Sequence, residues 1–263
     1  TGTPSYTFPP GTLSPNTNYE YYVRAVCSPT ESSLWAGPRP FTTTQIPAIV
    51  NFVEDFESTP TWTLSNGTAT NKWIIGTATS NGGAQSLYIS NNNSANAYTT
   101  SSTSVVHAYR DILIPAGTNL MNLSFDWKGQ GESSFDYLRV WTVPATFSPV
   151  AGTQITAASG GQQLSPNLNL SAPWVTQTYE LTAGAYAGQI MRLVFEWRND
   201  SSGGTQPPAA VDNINLIIPT CPEPYNLASS GQSGSPIVTL TWTPGGSETQ
   251  WQVIVQPQTD PAP

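Results

Sequence analysis

Acidic side chains give this chain its clearest opening for chemistry. Glu54, Asp55 and Glu57 fall within one short stretch, and Asp212 stands far downstream in Val211-Asp212-Asn213-Ile214. Hard cations such as calcium take six to eight oxygen ligands, several of them carboxylates. In a sandwich whose first and last strands are neighbours these acids converge, and like charges brought together repel unless a cation neutralises them. A solvated acidic edge is the competing reading.

Groups that could turn over a substrate are sparse. The single histidine, His107, sits in the alternating run Ser104-Val-Val-His107-Ala-Tyr109, where a structural role is expected. No G-x-S-x-G elbow supports a Ser-His-Asp triad. A strand of the E-x-D-x-x-E type, which would set two carboxylates across a glycosidase cleft, is missing. Two cysteines and one histidine are too few for a zinc site. The expectation is that the chain is not an enzyme. Aromatic rings are plentiful, with nine Trp, eleven Tyr and eight Phe, and rings can stack on sugar faces. Trp62, Trp73, Trp141 and Trp174 fit a core pattern less cleanly than the others. Most are still expected in the core or at sheet edges, and Trp174, after Ala172-Pro173 in a loop-rich stretch, is expected to be exposed.

Strands must position these residues. Only 9% of the 263 residues are charged, and Ser, Thr, Asn, Gly and Pro abound. The aromatic content argues against disorder, and no window holds apolar residues at helical spacing for more than about a turn. Short strands joined by polar turns predict an all-β protein. Net charge is −8, and the eight Lys and Arg are scattered singly, so there is no basic patch for nucleic acid. No apolar run is long enough for a membrane span. The chain lacks a signal peptide and an initial Met, which is expected of a mature or internal fragment.

Two inner segments echo each other: Leu123-Ser-Phe125-Asp126-Trp127-Lys128 and Leu193-Val-Phe195-Glu196-Trp197-Arg198. In both, Leu, Phe and Trp share one strand face and an acid takes the other, as expected of core strands in facing sheets. Phe135-Asp136-Tyr-Leu138-Arg-Val140-Trp141 is a further alternating strand. Residues 144–173 and 199–209 read as long loops, and 90–104 as a solvated turn region or a threonine-rich edge.

Residues 1–45 resemble the back half of a fibronectin type III domain. Leu13-x-Pro15-x-Thr17-x-Tyr19, followed by Tyr21, Val23 and Ala25, is similar to a tyrosine corner, whose hydroxyl bonds to upstream backbone. Residues 220–263 resemble the front half. Cys221-Pro222-Glu-Pro224 leads through a Gly/Ser loop to Val238-Thr-Leu240-Thr-Trp242, with Trp242 as the buried strand-B tryptophan, and then to Trp251-Gln-Val253-Ile-Val255. Between them, residues 46–219 resemble the cleaved adhesin or choice-of-anchor J jelly roll, related to MAM domains. The motifs are Asp55-Phe56-Glu57, Trp62, Leu123-Ser-Phe125, Asp136-Tyr-Leu138-Arg-Val140, Tyr179-Glu-Leu181 with Tyr186-Ala-Gly188, and Val211-Asp212-Asn-Ile214. Together these resemblances imply an all-β chain, a central jelly-roll β-sandwich flanked by two incomplete type III-like pieces.

The jelly-roll resemblance implies structural calcium, with Asp55, Glu57 and Asp212 as ligands and Asp136 and Asp200 as weaker candidates. The type III resemblance places Cys221 of one copy and Cys27 of the next at one pole of a shared sandwich. They are expected to pair there as a disulfide, and to lack a partner within one isolated copy; two free thiols are the alternative. Such modules are similar to those of secreted Bacteroidota surface proteins linked to type IX secretion and gliding. The implied function is a repeat of an extracellular, cell-surface adhesin or filament, serving as calcium-stabilised spacer and adhesion module. Its partners would be adjacent identical repeats or neighbouring subunits, and a surface polysaccharide or glycan, with no nucleic acid and no membrane insertion. The alternatives are a carbohydrate-binding module of a secreted multidomain enzyme, and a subunit assembled by exchange of half-domains.

Overall fold

Every second side chain of Leu-Met-Asn-Leu-Ser-Phe-Asp-Trp-Lys-Gly is apolar or small, and this segment, Leu120–Gly129, folds as a strand whose residues alternate between half-buried and buried. That period of two recurs through most of the chain. The computed structural model describes residues 3–59, 61–231, 237–246 and 248–261. Strands dominate, and the helical elements among the described residues are two short 3-10 turns, Ala157–Ser159 and Gly184–Tyr186.

The N-terminal strands are β1 (Asn18–Val23), β2 (Val26–Ser28), β3 (Glu31–Ser32) and β4 (Ala36–Thr42). The central ones are β5 (Ala48–Ile49), β6 (Phe52–Glu54), β7 (Thr63–Ser65), β8 (Lys72–Gly76), β9 (Ser86–Ser90), β10 (Ser104–Leu113), β11 (Leu120–Gly129), β12 (Tyr137–Pro144), β13 (Gln162–Gln163), β14 (Ser171–Thr182), β15 (Ile190–Asn199) and β16 (Ala210–Ile217). β17 (Tyr225–Gly231) and β18 (Val238–Thr243) follow.

The central strands make two six-stranded sheets. One runs β13-β12-β15-β10-β5 with β7 also on β10; the other runs β14-β11-β16-β9-β8 with β6 also on β16. The long strands β10, β11, β12, β14, β15 and β16 alternate between the two sheets in chain order, the wrapping of a jelly roll. Pairing is antiparallel except for the short parallel contact of β5 with β10. The two echoed segments are the facing centres of this sandwich. Met121, Leu123, Phe125 and Trp127 on β11 and Met191, Leu193, Phe195 and Trp197 on β15 belong to one buried core. Phe125 meets Phe195 edge to face at 5.3 Å between ring centroids, a geometry the ring quadrupoles favour.

Trp62 and Trp73 join the same core. Trp141 instead enters a second, smaller core with Val143, Ile155 and Val194, flanked by Tyr109 and Phe147. That cluster lies on the outer side of the first sheet, where the stretch after β12 folds back as a cover. Both faces of β12 are therefore buried, and its strand starts at Tyr137, leaving Phe135 exposed. The 90–104 stretch is neither wholly solvated nor a strand: it buries Tyr98, whose ring meets Trp197.

The terminal segments form hairpins. β1 pairs with β4 and β17 with β18, each as a two-stranded sheet, with a small β2-β3 pair beside the first. Tyr19 Oη accepts a hydrogen bond of 2.8 Å from the Ser14 backbone N–H, the upstream bond expected of a tyrosine corner. Trp242 is half-buried rather than buried, and Trp251 to Val255 form no ladder. A strand there needs a partner edge, and none reaches it among the described residues. Part of the expected Gly/Ser loop, residues 232–236, lies outside the described residues.

Candidate functional site

The second sheet keeps an open outer face over β14 and β11, whereas at β9 the flanking loops bury Ser86, Tyr88 and Ser90. On β11 the residues that alternate away from the core are Asn122, Ser124, Asp126 and Lys128, all half-buried. β14 pairs with β11 so that Glu180, Thr178 and Thr176 lie opposite Asn122, Ser124 and Asp126, and the same parity carries Trp174 to this face. β16 adds Asn215 opposite Ser124 and Asp212 opposite Asp126. The result is a band of amides and hydroxyls, interrupted by the charged Glu180, Asp126 and Lys128, with an indole at one end. The Lys128 ammonium lies 5.3 Å from the Trp174 ring centroid, within cation–π range, and burial lowers the Lys128 pKa. Trp174 is half-buried and sits in β14, not in a loop: the long loop ends three residues earlier, where the ladder with β11 begins.

Asp126 fixes one end of this band. It accepts hydrogen bonds from Thr176 Oγ1 at 2.5 Å and from the side-chain amides of Asn81 and Asn213 at 2.8 Å each. Burial works against its ionisation, but these three donors outweigh it and lower its pKa. Asp212 beside it is buried and accepts from the backbone N–H groups of Asn81 and Asn213. Burial foremost pushes its carboxyl up to about 6, the two N–H groups oppose the shift, and the charges of Asp126 and Glu57 add to it.

The acids expected to hold calcium are distributed otherwise than their sequence positions suggest. Glu54 is buried as a local acceptor for the Phe56 N–H and the Trp62 indole. Asp55 is exposed and accepts from the Glu57 N–H. Glu57 accepts from the backbone N–H groups of Ala84 and Gln85, which ties the start of the domain to the loop near Asp212. Asp55, Glu57 and Asp212 do not form a set of mutually close carboxylates. Among the described residues the set that does is Glu132, Asp136 and Asp200, with one oxygen from each within 4.8 Å of the others. Glu132 had no local signal in sequence, because the turn after β11 alone brings it back over β12.

This second acidic group is tightly framed. Asp136 is fully buried and accepts from Tyr98 Oη at 2.6 Å and from the Asp200 N–H at 3.0 Å. Burial raises its pKa, against those two bonds and the Arg198 charge. The loop after β15 closes on it through Gly203 and Gly204, both at positive φ. A Cβ on Gly204 would fall 2.0 Å from Tyr98 Oη, and one on Gly203 2.2 Å from Glu132 Oε2, so only glycine passes. Glu132 Oε2 is shielded from solvent and makes no hydrogen bond. An oxygen-only donor set with one idle carboxylate oxygen fits a hard cation.

The remaining candidates are separate. His107 and Glu196 face each other across β10 and β15, both fully buried, with Nε2 and Oε2 3.1 Å apart, beneath the cover segment and out of reach of solvent. Cys27 and Cys221 are exposed free thiols.

Fold and face together define an all-β sandwich whose second sheet is open on its outer side along β11 and β14. No family model matches the chain. No curated protein matches it. Among solved structures it is similar to the CBM22-1 xylan-binding domain of Paenibacillus barcinonensis Xyn10C, at 14% identity and a TM-score of 0.41, over 65% of this chain and 96% of that one. The family 11 carbohydrate-binding module of Clostridium thermocellum Lic26A-Cel5E gives 16% identity and 0.37, over 63% and 92%. A bacteriophage CBA120 tailspike domain gives 18% and 0.37, over 62% and 20%. Likenesses at this level decide neither ligand nor reaction. No helix among the described residues is long and apolar enough to cross a membrane.

Proposed function

We propose that the central sandwich is a non-catalytic glycan-binding module of a modular extracellular protein, and that it binds a neutral polysaccharide. The observation that carries this reading is the open face of β11, β14 and β16, with Trp174 at the end of a band of Asn122, Ser124, Thr178 and Asn215. An indole covers the apolar face of a pyranose, and amides and hydroxyls match its ring of neutral hydroxyls. A net charge of −8 disfavours polyanions. Affinity electrophoresis and calorimetry against soluble xylan, mixed-linkage glucan, galactan and mannan test it. Retention by at least one, weakened about tenfold or more by Trp174→Ala at unchanged melting temperature, is expected. No retention by any of them rejects the reading.

Calcium belongs to the same proposal as a structural ion, with Glu132, Asp136 and Asp200 as the carboxylates to hold it, in place of the Asp55, Glu57 and Asp212 set. An ion bound only by the folded state raises the melting temperature as its concentration exceeds its dissociation constant. Calcium is expected to raise it over chelator, and Asp200→Asn to remove most of the difference. Equal melting temperatures in calcium and chelator reject the ion.

A second reading, a spacing repeat in a surface adhesin or filament, is favoured by a different observation: the terminal hairpins leave Tyr21, Val23, Leu227 and Leu240 exposed.

A further inference from the structure

The chain holds two Asn-Gly pairs, Asn66-Gly67 and Asn81-Gly82. In this dipeptide a backbone nitrogen can attack the side-chain carbonyl before it, because glycine has no Cβ to hinder the approach and turns freely to make it. The two pairs sit in unlike surroundings. Asn66 is clamped at both ends of its carboxamide by one residue: Nδ2 donates to the Trp73 carbonyl at 2.9 Å, and Oδ1 accepts the Trp73 N–H at 2.8 Å. Trp73 is itself fully buried. Gly67 is closely packed, since a Cβ there would fall 2.9 Å from that of Ala151. The Asn66 carboxamide cannot swing toward Gly67 without breaking both bonds. Asn81 lies on the bend between β8 and β9, and its carboxamide is held at the nitrogen alone, which donates to Asp126 Oδ2 at 2.8 Å. Gly82 is exposed, with open space where a Cβ would stand. Its N–H has no hydrogen-bond partner among the described residues.

We propose that Asn81-Gly82 is a self-modifying site: the folded chain deamidates there, and the reaction releases the bend from the outer side of β11 and β16. The Gly82 nitrogen bonds to Asn81 Cγ, the Cγ–Nδ2 bond breaks, and the amide leaves as ammonia with the proton from the Gly82 N–H. Water then opens the cyclic imide at either carbonyl, giving aspartate or isoaspartate; no oxidant or cofactor takes part. Both products put a carboxylate where Nδ2 had donated to Asp126, with Asp212 close by, and like charges so near oppose one another. In isoaspartate the main chain also runs through the former side chain and is one carbon longer. The Asn81 N–H bond to Asp212 and the Asn213 Nδ2 bond to the Asn81 carbonyl, both 2.7 Å, then cannot both be kept. Asn213 and Asn81 are two of the three side-chain donors on Asp126, so the change reaches the end of the band on the open face. The inference rests on neither the glycan-binding nor the spacer reading.

The test incubates the full chain in mildly alkaline buffer, folded in one sample and in concentrated urea in another. Peptide mass spectrometry follows the exchange of amide for acid at each asparagine, and isoaspartyl methyltransferase labels the isoaspartate. In urea, where neither turn persists, the two pairs are expected to convert at similar rates. In the folded chain Asn81 is expected to convert, with Asn66 slower by about tenfold or more because two hydrogen bonds must open first. Asn81→Asp, which carries the aspartate product from the start, is expected to speed amide hydrogen exchange over residues 77–84 several-fold relative to the unmodified chain. Asn66 converting as fast as Asn81 in the folded chain overturns the proposal. So does an Asn81 that stays an amide over the time in which both convert in urea. Exchange over residues 77–84 no faster in Asn81→Asp than in the unmodified chain overturns the release of the bend.

Discussion

At the residue scale, the informative groups are carboxylates that the fold treats differently. Asp126, with three side-chain donors, is held below its ordinary range, whereas Asp212, chiefly through burial, is pushed up to about 6 from 3.8. Glu54 and Asp136 are raised too, again by burial first. A raised carboxyl binds its proton more tightly in the folded chain than in the unfolded one. Between the two pKa values of Asp212 the native state therefore holds more protons, and stability falls as pH rises through roughly 4 to 6. In chelator-treated buffer, a carbon-detected titration of Asp212 is expected to show a midpoint near 6, and urea midpoints to fall from pH 4.5 to 7. Asp212→Asn is expected to flatten part of that slope. A titration midpoint below 4 contradicts the burial account. Little of this was legible beforehand. The Phe-Asp-Trp alternation does place Asp126 on the outer side, but its donors come from residues 81, 176 and 213, which no local pattern connects. Trp174 was legible as distinctive through its Ala-Pro flank, though not as a member of a strand.

At the scale of elements, alternation spoke most plainly. The repeated Leu-x-Phe-x-Trp pattern predicted partner strands in facing sheets, and β11 and β15 are those strands. Phe125 and Phe195 are both fully buried where they cross. Truncating either to Ala is expected to cost about 3–5 kcal/mol. The double variant is expected to lose less than the sum, with a coupling of order 1 kcal/mol from the ring pair, measured by urea unfolding. Strict additivity would show that the rings do not depend on each other. Alternation placed a strand at β12 but did not reveal that its outer face, with Trp141 and Val143, is buried too, because a distant segment covers it. It also misled at Trp251 to Val255: an alternating run becomes a strand only when an edge is there to pair with it.

At the scale of the whole molecule, composition predicted the class. Few charges, many turn-forming residues and abundant aromatics gave an all-β chain with almost no helix. The cover over Trp141, Val143, Ile155 and Val194 has a further consequence. It closes the outer side of one sheet and leaves the module one-sided. A one-sided module engages a flat polysaccharide surface only when tethered with that side toward it. The orientation of the tether, and not only the affinity of the face, would then set how often a bound state forms.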